Sequence, residues 1–232
     1  MVYIYFHDVF ETITAMGLLR PREIFVGPRF AMWLLGSSAL SGGHKVSDLL
    51  LEDEQMARRL GTALRPAGRL LLPLAAAPSS DQLARLRLWV DGVDVEASWT
   101  NALQYQQLGG FVALTVFKQP DVPSRAVRGS NVPGSIGTRL LLSNQHVKLW
   151  DFHVPARTSC ELHEHLYPYV FFNRTDCETQ GLDALLQPSG PVTSFAACEF
   201  RCVEVNETER HVHAFQNPGI NDVQQYIIEF VA

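Results

Sequence analysis

The chain has 232 residues, 47% of them apolar and 19% charged, with a net charge of −5 and a pI near 5.9. That length allows one large domain or two small ones with a real hydrophobic core, and the composition is globular rather than disordered. The acidic balance argues against nucleic acid as a partner. The best apolar run, Phe30 to Leu40, is about half the roughly 20 residues that a membrane-spanning helix needs.

The first residues lack the basic region and long apolar core of a secretory signal. Cys160, Cys177, Cys198 and Cys202 all lie in the last third, and no pair has CxxC spacing, so they read as free, mostly buried thiols of a reducing compartment. The expectation is a soluble cytoplasmic protein with no membrane partner. On that reading Asn173-Arg-Thr and Asn206-Glu-Thr match the glycosylation pattern by chance.

In chain order, Tyr3 to Phe10 fits a strand or a helical turn, and Gly27-Pro28 punctuates an apolar run from Ile24 to Leu40. Ser41-Gly42-Gly43 is a loop with His44 at its edge, a solvated histidine by default. The clearest helix runs from its N-cap Ser47 to Arg65. Acids Asp48, Glu52, Asp53 and Glu54 precede bases Arg58, Arg59 and Arg65, in the order the helix dipole favours. Leu49, Met56, Leu60 and Leu64 supply its apolar stripe, and Pro66 ends it.

Arg69 to Ala76 is a strand candidate. Leu86 to Trp99 is a hairpin about Asp91-Gly92, with apolar residues alternating on both arms. Gly110 to Lys118 gives one more strand. This N-terminal part, residues 1–134, is a mixed α/β region that carries no chemical motif. Prolines, glycines and serines crowd the stretch from Pro120 to Gly137, the best boundary in the chain. Beyond it, residues 135–232 read as short strands between turns, an all-β sandwich or barrel. The strands are Val147–Val154, Leu162–Phe172 (interrupted by Pro168), Ser194–Val205, Val212–Asn217 and Val223–Val231, and Leu182–Leu186 could make one helical turn. Trp150, Phe152 and Phe172 read as core, His146 as a strand-edge histidine and His153 as a packed one.

His163-Glu164-His165 carries the chemistry. Side chains alternate faces along a strand, so both imidazoles point the same way, with Leu162, Val170 and Phe172 at the opposite parity. A third ligand is available in His213, some fifty residues on. His211 shares its parity, and so does Asn217. Three imidazoles leave coordination positions open for water or substrate, which is the catalytic rather than the structural arrangement of a metal site.

Over residues 138–232 the chain resembles the cupin family. Pro155 and His163-Glu164-His165 match the proline turn and His-x-His core of the first cupin motif. His213 and Asn217 match the histidine, three residues and asparagine that end the second. The stretch Val147-Lys-Leu-Trp-Asp-Phe and the ending Tyr226-Ile-Ile-Glu-Phe look like the first and last strands of small cupins. Three departures stand beside these matches. Arg157 replaces the glycine of the first motif, Thr208-Glu209-Arg210 replaces the Pro-x-Gly of the second, and Tyr169 or Val170 holds the position of the ligating glutamate. Glu164 has the wrong parity to stand in for that glutamate, and Glu161 falls before the pair.

The resemblance implies a mainly β fold whose C-terminal double-stranded β-helix surrounds a divalent transition metal, Fe(II), Mn, Ni or Zn, held by His163, His165 and His213. It is similar to the thiol and diketone dioxygenases of the family that use three histidines and no carboxylate. The implied function is a dioxygenase-type oxidoreductase, or else a lyase or isomerase, on a small organic acid or thiol. Tyr169 is the candidate acid or base, provided its pKa is lowered, and His211, Asn217 and Tyr167 are placed around the ligands. Cupins often form dimers, so a homodimer is implied as well. Two further readings stay open: a non-catalytic cupin serving as a ligand-binding or assembly module, and a bicupin in which residues 1–134 are a degenerate first cupin.

Overall fold

The computed structural model describes residues 22–26, 29–35, 66–74, 87–89, 111–117, 136–205 and 211–231. The chain divides into two compact units between Val122 and Pro123.

The first unit contributes five strands, β1 (Arg22–Val26), β2 (Phe30–Leu35), β3 (Pro66–Pro73), β4 (Arg87–Trp89) and β5 (Phe111–Phe117). They form one antiparallel sheet in the order β1-β2-β5-β3-β4. Val116, Leu114 and Val112 on the central β5 face Phe30, Met32 and Leu34 on β2. On the other side they face Gly68, Leu70 and Leu72 on β3. Apolar residues two apart thus fall in register across three strands. Phe30, Met32, Leu72, Val112, Leu114 and Val116 are buried.

The expected strands at 69–76 and 110–118 are β3 and β5. The first arm of the Asp91-Gly92 hairpin is β4, which pairs with β3. The second arm, the helix over 47–65, the Tyr3–Phe10 segment and His44 lie outside the described residues. The described part of this unit is all strand, so it does not bear out a mixed α/β region.

The second unit holds β6 (Arg139–Ser143), β7 (Val147–Val154), β8 (His163–His165), β9 (Tyr169–Asn173), β10 (Cys177–Gly181), β11 (Thr193–Phe195), β12 (Phe200–Val203), β13 (His211–His213), β14 (Phe215–Gln216) and β15 (Val223–Phe230). A five-stranded sheet runs β12-β9-β15-β7-β6, and β11-β10-β14 and β13-β8 make two smaller sheets. One core joins the first two: Phe152, Tyr169 and Ile227 from the large sheet pack in the same cluster as Cys177, Phe195 and Phe215. This is a two-layered antiparallel barrel of the expected kind.

β7 and β15 pair along their whole length, from Val223 opposite Val154 to Phe230 opposite Val147. The register decides which side chains enter the barrel. Trp150, Phe152 and Val154 share the core cluster with Val223 and Ile227. By parity, Lys148 and Glu229 face inward as well. Tyr226, Ile228 and Phe230 are also buried, on the other face of the sheet.

Four sequence expectations change in this unit. The strand expected over Leu162–Phe172 is two strands in different sheets, β8 paired with β13 and β9 with β12 and β15. Pro168 falls between them, where a residue lacking an N–H cannot continue a ladder. Ser194–Val205 likewise splits into β11 and β12 around a turn in which Cys198 adopts φ 66°. Leu182–Leu186 is a turn and not a helix, because the Asp183 carboxylate accepts from the backbone N–H of Leu185 and Gln187. His153 is exposed rather than packed, with its Nε2 2.9 Å from the Asp222 carboxylate.

Candidate metal centre

The site grows from the register of the β8–β13 ladder, in which His165 faces His211, Glu164 faces Val212 and His163 faces His213. Directly opposed residues of an antiparallel pair share a face, as do residues two apart on one strand. Register alone therefore puts four imidazoles on one face. The ring centroids of His163 and His213 are 4.5 Å apart, those of His165 and His213 5.1 Å, and those of His211 and His213 4.8 Å.

Within this grid, ligand atoms of His163, His165 and His213 all lie within 4.8 Å of one another. Nε2 of His165 is 3.1 Å from Nε2 of His213. Two nitrogens binding one ion at about 2.1 Å and at right angles sit about 3 Å apart, so this spacing fits a shared ion. His163 Nδ1 lies 2.8 Å from the carbonyl oxygen of Glu161. A carbonyl can only accept, so Nδ1 carries the proton and Nε2 keeps its lone pair.

Burial keeps the three rings neutral. It lowers the pKa of each, and neighbouring histidines lower them further; His213 is pushed down to about 3. Neutral imidazole is the form that binds a metal. The donor set, three imidazoles with half-buried β13 at one side, fits a divalent transition metal ion.

Tyr169 begins a new strand, and its ring stacks on that of His165, with centroids 3.8 Å apart and planes 10° apart. Its hydroxyl is 3.4 Å from Nε2 of His211. Burial, with a smaller contribution from Glu229, pushes its pKa up rather than down. The phenol is therefore a neutral hydrogen-bond donor. His211 itself is half-buried. Tyr167, in the turn after β8, is not brought to the ligands: its ring carries the Lys148 ammonium at 5.0 Å instead.

Asn217 is buried but works on the backbone. Its Nδ2 donates to the carbonyls of Val154 and Asn221, and its Oδ1 accepts from the N–H of Gly219. Its own carbonyl accepts from Arg157, and its N–H donates to Thr158. Asn217 thus ties the end of β7, the 155–158 turn and the 217–221 turn together. Arg157 sits in that turn at φ 64°, a conformation glycine adopts freely, so the backbone of the motif glycine persists without the glycine.

Sequence reasoning missed Glu229. Its carboxylate Oε1 is 3.8 Å from His165 Nδ1, with both side chains 1% exposed. Its Oε2 accepts from the Trp150 indole at 3.1 Å. Burial pushes its pKa up to about 7, against the opposing pull of Trp150 and Lys148. It lies opposite Lys148 on β7 and opposite Tyr169 on β9, so one rung of the sheet carries all three. A signal was present: a lone acid inside Tyr226-Ile-Ile-Glu-Phe230 is a buried charge that needs a partner.

No family model matches the chain. No curated protein matches it either. Among solved structures, it is similar to a cupin domain from Bordetella pertussis at 20% identity, covering 45% of this chain and all of that one, with TM-score 0.35. A cupin protein from Bacteroides fragilis matches at 10% identity over 44% of this chain and 86% of that one, with TM-score 0.29. AerE from Microcystis aeruginosa matches at 8% identity over 91% of this chain and 97% of that one, with TM-score 0.41. The antiparallel barrel of the second unit rests on its own strand order and core.

Proposed function

We propose that residues 135–232 are a metal-dependent cupin whose ion is held by His163, His165 and His213. The observation that carries this reading is the convergence of three neutral imidazoles whose ligand atoms lie within 4.8 Å. When bound, a divalent transition metal would supply a Lewis acid or an O₂-activating centre for a small organic acid or thiol. Dioxygenase-type oxidation is the first reading, because three imidazoles leave coordination positions open beside a phenol. Lyase or isomerase chemistry is the second.

The chain's own contributions are positioning and proton handling. The Glu161 carbonyl fixes the His163 tautomer, and Tyr169 holds the plane of His165 by stacking. The Tyr169 hydroxyl and the His211 imidazole, 3.4 Å apart, stand beside the ligands. With its pKa raised, the tyrosine stays protonated and donates a hydrogen bond to an oxygen of substrate; it does not meet the condition of a lowered pKa for a general acid or base, a role left to His211.

The test is metal analysis of purified protein beside a His163→Ala/His165→Ala double variant. Stoichiometric metal in the wild type, lost in the variant, supports the reading and directs a substrate screen with and without O₂. Equal, near-zero metal in both overturns it in favour of a ligand-binding or assembly module.

A further inference from the structure

Two buried polar atoms face each other inside the barrel without bonding. His165 Nδ1 and Glu229 Oε1 are 3.8 Å apart, and neither has a hydrogen-bond partner among the described residues. Each unsatisfied group costs free energy, and an apolar residue of similar shape would avoid that cost. Packing alone does not explain a carboxylate here.

The carboxylate is also aimed. The Trp150 indole holds Oε2, which turns Oε1 toward the edge of the His165 ring. That edge is the one away from the ligand cluster, since the opposite nitrogen, Nε2, points at His213. Glu229 is therefore placed behind the ligand and not among the ligands. The stacked Tyr169 ring fixes the tilt of His165 yet leaves it free to slide in its own plane. A shift of about 1 Å would bring Nδ1 and Oε1 to hydrogen-bond distance.

We propose that Glu229 is the positioning residue of His165. It accepts the Nδ1–H hydrogen bond once Nε2 gives its lone pair to a cation, and the Trp150 indole on its other oxygen senses the change. A ring whose one nitrogen is engaged by a cation donates more strongly through the other, and a carboxylate behind it both orients the ring and raises its basicity. The inference rests on the metal reading above and adds to it: it assigns the carboxylate that the donor set lacks to the far side of one ligand.

The experiment uses the full chain stripped of metal and titrated with Zn²⁺. Wild type, Glu229→Gln, Glu229→Leu and Trp150→Phe are compared, with His163→Ala/His165→Ala as the control for the site. Zinc affinity is read by competition with a chromophoric chelator, and tryptophan emission is followed in the same titration. The side-chain N–H signals of the histidines are recorded by NMR in the zinc form.

The expected results are an affinity about tenfold weaker in Glu229→Gln and about 100-fold weaker in Glu229→Leu. A strongly hydrogen-bonded Nδ1–H signal appears in wild type and is lost in Glu229→Leu. Zinc changes the tryptophan emission of wild type and leaves that of Trp150→Phe unchanged. If Glu229→Leu does not fold, Glu229→Gln, which keeps the volume of the side chain, decides the matter. Wild-type affinity together with an unaltered Nδ1–H signal in the folded Glu229 variants would overturn the proposal and leave the metal site standing. No zinc binding by wild type itself would overturn both.

Discussion

His211 lies directly across the β8–β13 ladder from His165, yet its Nε2 turns to the Tyr169 hydroxyl while His213 reaches the nitrogen of His165. The ladder therefore offers four imidazoles and commits three of them. Single alanine substitutions at His163, His165 and His213 are expected to abolish stoichiometric metal. His211→Ala is expected to keep it, with affinity within about a factor of ten. Metal content after dialysis decides this, and a His211→Ala protein that emerges without metal would make His211 a ligand.

Metal-free protein should lose stability on acidification. The pKa values of His163, His165 and His213 are lowered on folding, that of His213 to about 3. The unfolded chain takes up their protons first, so their contribution is complete above about pH 6.5 and falls as the pH drops below it. Glu229, raised to about 7, acts the other way: its contribution is present in acid and lost as the pH rises toward 7. Three histidines outweigh one carboxylate, so Tm should fall steadily from pH 7 to pH 5. His213→Gln should flatten that slope. A wild-type Tm that is level or rising toward acid would refute the account.

Much of this fold is legible because its strands advertise a period of two. β7 matches its expected bounds, and the parity of His163 and His165 puts both on one face. The break at Pro168 was less legible, because a proline can sit on a strand edge as well as end a strand. Glu229 was hidden for a different reason. β15 is buried on both faces, so alternation cannot say which parity enters the barrel. Its partners Trp150 and His165 come from strands far away in sequence: the β7–β15 register brings Trp150 beside it, and His165 comes from β8, in another sheet.

Arg157 spends its φ of 64° on a turn that a glycine would make without strain. A non-glycine residue in this region costs about 1–2 kcal/mol, against roughly 0.5–1 kcal/mol for the extra freedom glycine has when unfolded. Arg157→Gly should therefore raise stability by about 0.5–1 kcal/mol, read as a higher denaturant midpoint at an unchanged m-value. A lower midpoint would mean that the arginine side chain holds the turn in a way its backbone does not reveal.

Asn217 separates a backbone clasp from a metal-site role. Asn217→Ala removes the bonds to Val154, Asn221 and Gly219 and leaves buried backbone groups unpaired. The expected cost is about 2–4 kcal/mol of stability. Zinc affinity, measured at a temperature where the variant is still fully folded, should change by less than about threefold, well short of the loss expected when a residue supporting a ligand is removed. A variant of near-normal stability that binds zinc 10-fold more weakly would place Asn217 with the metal centre after all.

Tyr169→Phe keeps the ring that stacks on His165 and removes only the hydroxyl beside His211. Stability and zinc affinity should stay close to wild type, because the lost hydrogen bond is long and half-exposed at its histidine end. If the phenol donates a hydrogen bond to a reacting oxygen, turnover of any substrate found should drop by roughly 10²–10³-fold. The shape of the pH–rate profile should stay as in wild type, since the phenol ionises above its ordinary range and contributes no limb to it. Unchanged turnover in Tyr169→Phe would remove the phenol from the chemistry and leave it as the wall against which His165 is held.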